Sequence, residues 1–440
     1  MNQEFLKSIE KVHFVGIGGI GISALARLMV NKGKKVTGTN DGESPNTLDG
    51  LRGMGVSVYL DRNIEHIDSD TDLIVYSTAW EQNECDFMNA VRGTGIPILT
   101  YPEALGMVSR GMRTIAVSGT HGKTTTTAMI AEILVGARLN PTVIVGSLLK
   151  SGTNFIGGSS DIFVVEACEY KRSFLNLSPE ILVITNIDND HLDYYGSIEG
   201  VQKAFAELVK KVPATGVIVC NPHDPLLAPA IRGAVAKVVD YTQDLGSETP
   251  SLAVPGEHNI RNAKAAITVA RLLGVAEEEA LQLVAKFQGT WRRQEFKGST
   301  EQDALVYDDY AHHPTEIKAT LQGFRSKYLQ SNIRVVFQPH LYSRTKLLLG
   351  EFAQSFGDAN EVILLPIYAA RETLDPEITS EILADAIRAH NSNVRVENNI
   401  GEIVSYLSET LTSNDIIITM GAGDVLKVGE QLTESKKVLQ

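Results

Sequence analysis

The chain has 440 residues, with 40 Lys or Arg against 53 Asp or Glu and a formal net charge of −13. At roughly 150 residues per domain this length predicts two to four domains, and a hydrophobic share of 43% is enough for packed cores and excludes wholesale disorder. An acidic chain without basic blocks lacks the clustered cations of nucleic-acid binding, and no apolar run approaches the roughly 20 residues of a membrane helix, so neither nucleic acid nor membrane insertion is expected. The polar stretch from Met1 to Lys11 lacks the apolar core of a secretory leader. Cys85, Cys168 and Cys220 stand far apart and in no CxxC pair, the pattern of reduced thiols in a cytoplasm.

Apolar runs bounded by glycine recur with helical stretches between them, the rhythm of parallel α/β architecture. Val12–Val15 reads as a strand, Ile22–Asn31 as the helix after its glycine turn, and Val36–Thr39 and Leu73–Ser77 as further strands. A second series opens with the β-branched run Thr114–Val117, continues through the helix Thr124–Val135, and adds strands at Ile162–Val165, Ile181–Thr185 and Val217–Cys220. A third begins near Ala304–Tyr307 and continues through Val335–Phe337, Val362–Leu365 and Ile416–Met420. Each series restarts a sheet, which predicts three α/β domains at residues 1–108, 109–292 and 293–440.

Two glycine turns carry chemistry. Gly16-Ile17-Gly18-Gly19-Ile20-Gly21 places G-x-G-x-x-G between a strand and a helix, where backbone amides at the helix N-terminus favour a pyrophosphate. Asp41 follows about 20 residues later, where a ribose contact is expected. Taken alone, this turn suggests an NAD-dependent oxidoreductase, although any nucleoside diphosphate satisfies the same physics. A turn that merely packs helix on strand is the competing reading. The second turn, Ser118-Gly119-Thr120-His121-Gly122-Lys123-Thr124-Thr125, supplies amides, a lysine for β- and γ-phosphates and a hydroxyl for Mg²⁺. It departs from the usual P-loop, with Val117 where the first glycine normally stands.

Gly119–Thr125 resembles the shortened P-loop of the Mur ligases and their folylpolyglutamate synthetase relatives. The resemblance runs through the whole chain. It takes in Gly16–Ser23, Thr185-Asn186-Ile187-Asp188-Asn189-Asp190-His191-Leu192-Asp193, Gly256–Ala263, Asp308–Glu316, Phe337-Gln338-Pro339-His340 and Gly421-Ala422-Gly423-Asp424. Within the family it is most similar to the branch that adds the first amino acid of the peptidoglycan peptide. The resemblance implies three domains: an N-terminal Rossmann-like UDP-binding domain, a central P-loop ATPase-like domain with a parallel or mixed sheet, and a C-terminal Rossmann-like domain. It implies ATP-driven amide formation between UDP-N-acetylmuramate and L-alanine through an acyl phosphate, with ATP and Mg²⁺ as cofactors, in a cytoplasmic monomer or homodimer.

Residue by residue, the resemblance implies that Gly18, Gly19, Ile20, Gly21, Ile22 and Ser23 cradle UDP, with Thr39, Asn40 and Ser77 on the uridine side. Gly119, Thr120, His121, Gly122, Lys123, Thr124 and Thr125 would bind ATP phosphates, and His258, Asn259 and Asn262 would shape the adenine pocket. Thr124, Glu166 and His191 match the family's Mg²⁺ ligands. Tyr310, His312, His313, His340 and Arg344 follow strands of the third series, where open α/β sheets bind ligands. Arg344 suits the carboxylate of alanine, and one of the two adjacent histidines suits the ammonium proton.

Two stretches depart from the family. Cys168-Glu169-Tyr170-Lys171-Arg172 replaces an acidic run after Glu166-Ala167, and Leu341 stands where an arginine usually follows His340. The nearest rival activity is the recycling ligase that attaches a preformed tripeptide to the same nucleotide sugar. A non-catalytic nucleotide-binding protein is the third alternative, against which Lys123, Glu166 and His191 argue.

Overall fold

The computed structural model describes residues 7–80, 86–244, 250–370 and 372–438; Cys85 and the first six residues lie outside them. Three sheets form. The first holds five strands, all parallel, in the order β3-β2-β1-β4-β5. These are β1 (Lys11–Val15), β2 (Lys35–Thr39), β3 (Ser57–Tyr59), β4 (Leu73–Tyr76) and β5 (Ile98–Thr100). Helix α1 (Ile20–Asn31) follows β1, and α2 (Tyr101–Ser109) follows β5. Thr100 and Glu103 close a reciprocal capping box at the start of α2, ahead of Pro102, satisfying amides that have no partner inside the helix. Chain order reverses between β1 and β4, so a crevice opens at their carboxyl ends, where Gly16 and Ser77 lie.

The second sheet has seven strands in the order β12-β11-β10-β6-β9-β7-β8. They are β6 (Arg113–Ser118), β7 (Thr142–Ile144), β8 (Phe155–Ile156), β9 (Ile162–Glu166), β10 (Ile181–Ile184), β11 (Val217–Cys220) and β12 (Lys237–Asp240). Only the β7–β8 pair is antiparallel. β9 and β10 are almost wholly apolar, and they and β6 are buried along nearly their whole length, as expected for central parallel strands covered by helices. Helix α3 (Lys123–Gly136) leaves the end of β6.

The third sheet runs β13-β14-β18-β15-β16-β17. Its members are β13 (Glu295–Ser299), β14 (Leu305–Asp309), β15 (Asn332–Phe337), β16 (Glu361–Leu364), β17 (Val394–Val396) and β18 (Asp415–Met420). β13 is antiparallel to β14 and the other pairs are parallel. The long helix α4 (Glu257–Leu272) precedes this sheet, α5 (Pro314–Lys327) follows β14, and the short α6 (Tyr342–Leu347) follows β15.

The chain divides into two compact units, residues 1–251 with 261–287 and residues 252–260 with 288–440. The first unit holds two sheets, and a continuous apolar core containing Phe14, Leu25, Phe163, Phe174 and Phe205 runs through both. The second unit is built around Phe324, Phe337 and Phe352 on one face of its sheet, and Val306, Val336 and Ile417 on the other. Among the described residues no helix is long and apolar enough to cross a membrane.

Candidate active site

The first glycine turn is held by neutral groups. The Thr39 carbonyl accepts from the amides of Gly16 and Ile17 at 2.8 and 3.1 Å. Asn40 Oδ1 accepts from the Gly18 amide at 3.0 Å, while Thr47 Oγ1 donates to the Gly18 carbonyl at 2.7 Å. The Ser77 amide bonds the Val15 carbonyl, which fixes the end of β4 beside the turn. Gly19 and Ile20 open α1 at the surface of the turn, whereas Ile22, Ser23 and Thr39 are buried. Ser23 Oγ donates to the Ile20 carbonyl and receives a bond from Asn154 Nδ2 at 2.9 Å. The Ser23 hydroxyl therefore ties the first sheet to the second, and the Thr39 side chain packs inside; neither side chain lines the mouth of the turn. Asp41, expected at a ribose, is paired through both oxygens with Arg62, whose guanidinium lies over Trp80, 4.9 Å from the ring centre.

The second turn is clamped by the neighbouring strand end. Thr120 N donates to the Asn186 carbonyl, and the His121 amide to Asn186 Oδ1 at 2.9 Å. Thr185 Oγ1 and Asn186 Nδ2 both donate to the His121 carbonyl, and the Asp188 amide donates to Thr120 Oγ1. His121 Nε2 lies 3.0 Å from Asp188 Oδ2. Gly119 adopts φ 134°, and a Cβ there would stand 2.0 Å from Thr185 Oγ1, so only glycine fits. Asn262, on the part of α4 inside the first unit, packs against Gly122. The residues that set the loop's shape are thus Thr185, Asn186 and Asp188, marked in the sequence only as a run after a strand.

Lys123 begins α3, and its ammonium points back into the loop. Nζ donates to the carbonyls of Gly119 and Thr120 at 2.7 and 2.9 Å and to Glu169 Oε1 at 2.9 Å. Burial disfavours the ammonium, but the Glu169 carboxylate, with smaller help from Glu166, more than offsets this and holds Lys123 above the ordinary lysine value. Thr124 is buried beside it and Thr125 half-buried.

Glu166 ends β9 opposite Val117 in register, and its Oε2 accepts from the Gly146 amide at 2.9 Å. His191 has φ 54° and precedes a short helical turn, with Nε2 3.7 Å from Glu169 Oε1. Sequence reasoning passed over Glu169 as part of a departure from the family pattern. It is 3% exposed, it pairs with Lys123, and its Oε2 has no hydrogen-bond partner. Tyr170–Asn176 is a 3₁₀ segment in which Lys171 and Arg172 are left-handed (φ 50° and 59°), and Arg172 pairs with Glu207. The positive side chains that follow Glu169 are engaged elsewhere, Lys171 over the Tyr170 ring and Arg172 with Glu207. Cys168 is open to solvent on one side, but burial among protein atoms and the Glu169 charge push its thiol up to about 12, so this replacement places a neutral group there.

A cavity of about 140 Å³ lies inside the first unit, between the start of α1 and the end of β9. Gly21 and Tyr101 contribute from the first sheet, and Gly146, Glu166, Cys168 and Ser173 from the second. Tyr101 packs directly on Gly21, and burial, with the Glu166 charge, raises its phenol well above the usual value. Of the three residues expected at Mg²⁺, Glu166 and Thr124 carry the oxygen donors that such an ion prefers, and His191 carries an imidazole. The buried, unpartnered oxygen of Glu169 adds a further site of negative charge.

In the second unit, four of the five residues expected at the amino acid gather at the carboxyl ends of β14 and β15. The rings of Tyr310 and His312 lie 5.3 Å apart, and those of His312 and His340 5.8 Å apart. Arg344 Nη1 is 3.2 Å from His340 Nδ1, and His340 stacks on Tyr368. His313 is instead buried as the N-cap of α5, with Nδ1 accepting from the Thr315 amide. That leaves His312 as the more accessible of the adjacent pair. Beneath the loop, burial pushes Asp309 up to about 6, against the Arg293 charge and bonds from the Ala311 amide and Thr320. Arg292 is buried against Asp308 and donates to the carbonyls of Gly421 and Gly423, tying the start of β13 to the loop after β18. His258 and Asn259 also belong to this unit, where both contact Gln294.

The chain matches three domain families in order: "Mur ligase family, catalytic domain" at residues 11–113, "Mur ligase middle domain" at 117–249, and "Mur ligase, glutamate ligase domain" at 292–423. It is 41% identical to the UDP-N-acetylmuramate–L-alanine ligase of Clostridium kluyveri, over 98% of this chain and 99% of that protein. The enzyme of the same name from Desulfitobacterium hafniense is 41% identical over 96% and 99% of the two chains. Among solved structures, the UDP-N-acetylmuramate–alanine ligase of Thermotoga maritima superposes with a TM-score of 0.80 at 28% identity, covering 98% of this chain and all of that one. A murein peptide ligase of Psychrobacter arcticus gives 0.71 at 25% identity, covering 97% and 98%. With its three sheets, both glycine turns and the clamp around the second in one chain, the protein belongs to the Mur ligase family.

Proposed function

We propose that the chain joins the lactyl carboxylate of UDP-N-acetylmuramate to the amine of L-alanine, converting ATP to ADP and phosphate, in the cytoplasmic synthesis of peptidoglycan precursor. The observation that carries this reading is the cavity that runs from Gly21 and Tyr101 to Glu166. It leads from the start of α1, beside a turn suited to a diphosphate, to Glu166 at the end of β9, the strand next to β6.

In the first step a carboxylate oxygen attacks the γ-phosphorus and the bond to the β-phosphate oxygen breaks, giving an acyl phosphate and ADP. Negative charge accumulates between the reactants, so a fixed cation and oriented amides lower the barrier. Lys123 and the amides of Gly119–Thr125 provide them, while Thr185, Asn186 and Asp188 keep the loop in shape. Thr124, Glu166 and His191 would hold Mg²⁺, which would neutralise phosphate charge. In the second step the alanine amine attacks the acyl carbon, phosphate leaves, and the amine loses a proton. Arg344 pairs with the alanine carboxylate, and His312 takes the proton at a ring nitrogen. His258, Asn259 and Asn262 serve the adenine side.

Phosphate release from ATP, measured with Mg²⁺ and UDP-N-acetylmuramate across a panel of amino acids, tests the reading. Release that requires the nucleotide sugar and peaks with L-alanine is expected. Release only with a preformed tripeptide would transfer the chain to the recycling activity, and heat of binding from NADH but not from UDP would overturn the assignment of the first turn.

A further inference from the structure

Glu169 has no part in the steps above, yet it is the deeply buried acid of the second turn, 3% exposed. An ammonium has three hydrogens to donate, and Lys123 spends them on Gly119 O, Thr120 O and Glu169 Oε1. A phosphate can therefore gain this lysine only by displacing a partner it already has. Two of those partners are neutral carbonyls; Glu169 is the one that carries charge. Once Lys123 turns to a phosphate, Glu169 remains as a buried carboxylate whose second oxygen already lacks a partner, a state that folded proteins avoid. Its remaining neighbour in reach is His191, with Nε2 3.7 Å from Oε1.

We propose that Glu169 is a cation-exchange residue: it holds the Lys123 ammonium while the nucleotide site is empty, and binds the divalent cation, alongside His191, when Lys123 moves to the phosphates. The inference rests on the ATP-dependent reading of the second turn, and it assigns the metal a ligand that the family resemblance does not. It also fits the left-handed backbone at Lys171 and Arg172, which are occupied by the Tyr170 ring and Glu207: a second fixed cation on Glu169 would keep it permanently paired. A carboxylate ligand suits Mn²⁺ as well as Mg²⁺, which allows a spectroscopic probe.

The test uses the full chain and binding alone. Calorimetry follows ATP without metal, and Mn²⁺ paramagnetic resonance follows the ion with and without a non-hydrolysable ATP analogue. In Glu169→Gln the competitor for Lys123 is gone and so is the ligand. Metal-free ATP should bind about tenfold tighter and Mn²⁺ in the ternary complex about tenfold weaker, with Glu169→Asp between the two. Lys123→Ala, which leaves Glu169 uncompensated, should bind Mn²⁺ more tightly than wild type in the absence of nucleotide. Wild-type values for ATP and Mn²⁺ in Glu169→Gln would reduce Glu169 to a structural acid and overturn the proposal. If Glu169→Gln does not fold, unchanged Mn²⁺ affinity in Lys123→Ala overturns it independently. Failure of the wild type itself to bind ATP would remove the ATP reading along with the exchange, a result distinct from selective failure of the variants.

Discussion

The two glycine turns of the first unit both leave the end of a central parallel strand and open a helix, yet they handle charge differently. Around Gly16–Ile20 the fixed partners are a carbonyl, an amide and a hydroxyl, from Thr39, Asn40 and Thr47. Around Gly119–Thr124 a lysine and a buried glutamate are paired within the loop. A turn lined with neutral dipoles binds a diphosphate and keeps it, because nothing in the turn must move. A turn with an exchangeable cation suits a phosphoryl group whose charge distribution changes during reaction. On the proposed reading, one backbone device would serve as an anchor in one sheet and as a reaction centre in the next.

The sharpest way to break this comparison is Lys123→Ala. Loss of one cation positioned on developing charge should lower kcat about 10²- to 10³-fold, while calorimetric affinity for UDP stays at the wild-type value. A parallel loss of UDP affinity would show that the turns are not independent. The glycines give a crossed version of the same experiment. A Cβ at Gly18 would come within 2.6 Å of the Asn40 amide, and one at Gly119 within 2.0 Å of Thr185 Oγ1. Gly18→Ala should weaken UDP binding about tenfold and leave ATP binding unchanged, and Gly119→Ala should do the reverse.

The contrast between the turns also separates what the sequence discloses from what it conceals. β6, β9 and β10 are legible because β-branched and apolar runs buried on both faces have few other places to go. β3, β12, β13 and β17 are short or carry polar residues at sheet edges, and no periodicity marks them. Lys123 is legible because a motif fixes its distance from Gly122. Glu169 is not, because its burial depends on the 3₁₀ segment after it and on a lysine 46 positions earlier. The same holds for the clamp of Thr185, Asn186 and Asp188, whose bonds to the loop span more than 60 residues. His313 looked equivalent to His312 in sequence, and only the start of α5 distinguishes the cap from the accessible ring.

The second unit extends the comparison to a third loop region. Arg344→Ala should remove charge-assisted bonds to the alanine carboxylate and raise the alanine KM about ten- to a hundredfold, with the ATP KM little changed. Equal shifts in both would remove Arg344 from the amino-acid site. Asp309 provides a smaller, pH-dependent effect. Its carboxyl is raised from 3.8 to about 6 by burial, so the fold prefers the protonated form. The stability it contributes is complete below the ordinary value and is lost as pH rises through about 6. Denaturant midpoints of Asp309→Asn should therefore fall less steeply than wild type between about pH 4 and 6, and parallel curves would place the titration elsewhere.

The smallest effect concerns Leu341, which has φ 70° and ψ 133° between His340 and α6. A leucine held there stores about 1 kcal/mol or more of backbone strain. The surroundings impose it: the Leu341 amide donates to the Tyr368 carbonyl, and the Leu341 carbonyl accepts from both the amide and the hydroxyl of Thr345. Those bonds set where His340 stacks on Tyr368 and where α6 presents Arg344. Leu341→Gly relieves the strain but frees the backbone that aims both residues, so stability and binding should move in opposite directions. The unfolding free energy should rise by about 0.5 kcal/mol once glycine's own flexibility is counted, while the alanine KM rises severalfold. Strain that served only the fold would leave KM where it was. A leucine that aims the loop separates the two readouts, as the first glycine turn, lined with neutral groups throughout, has no means to do.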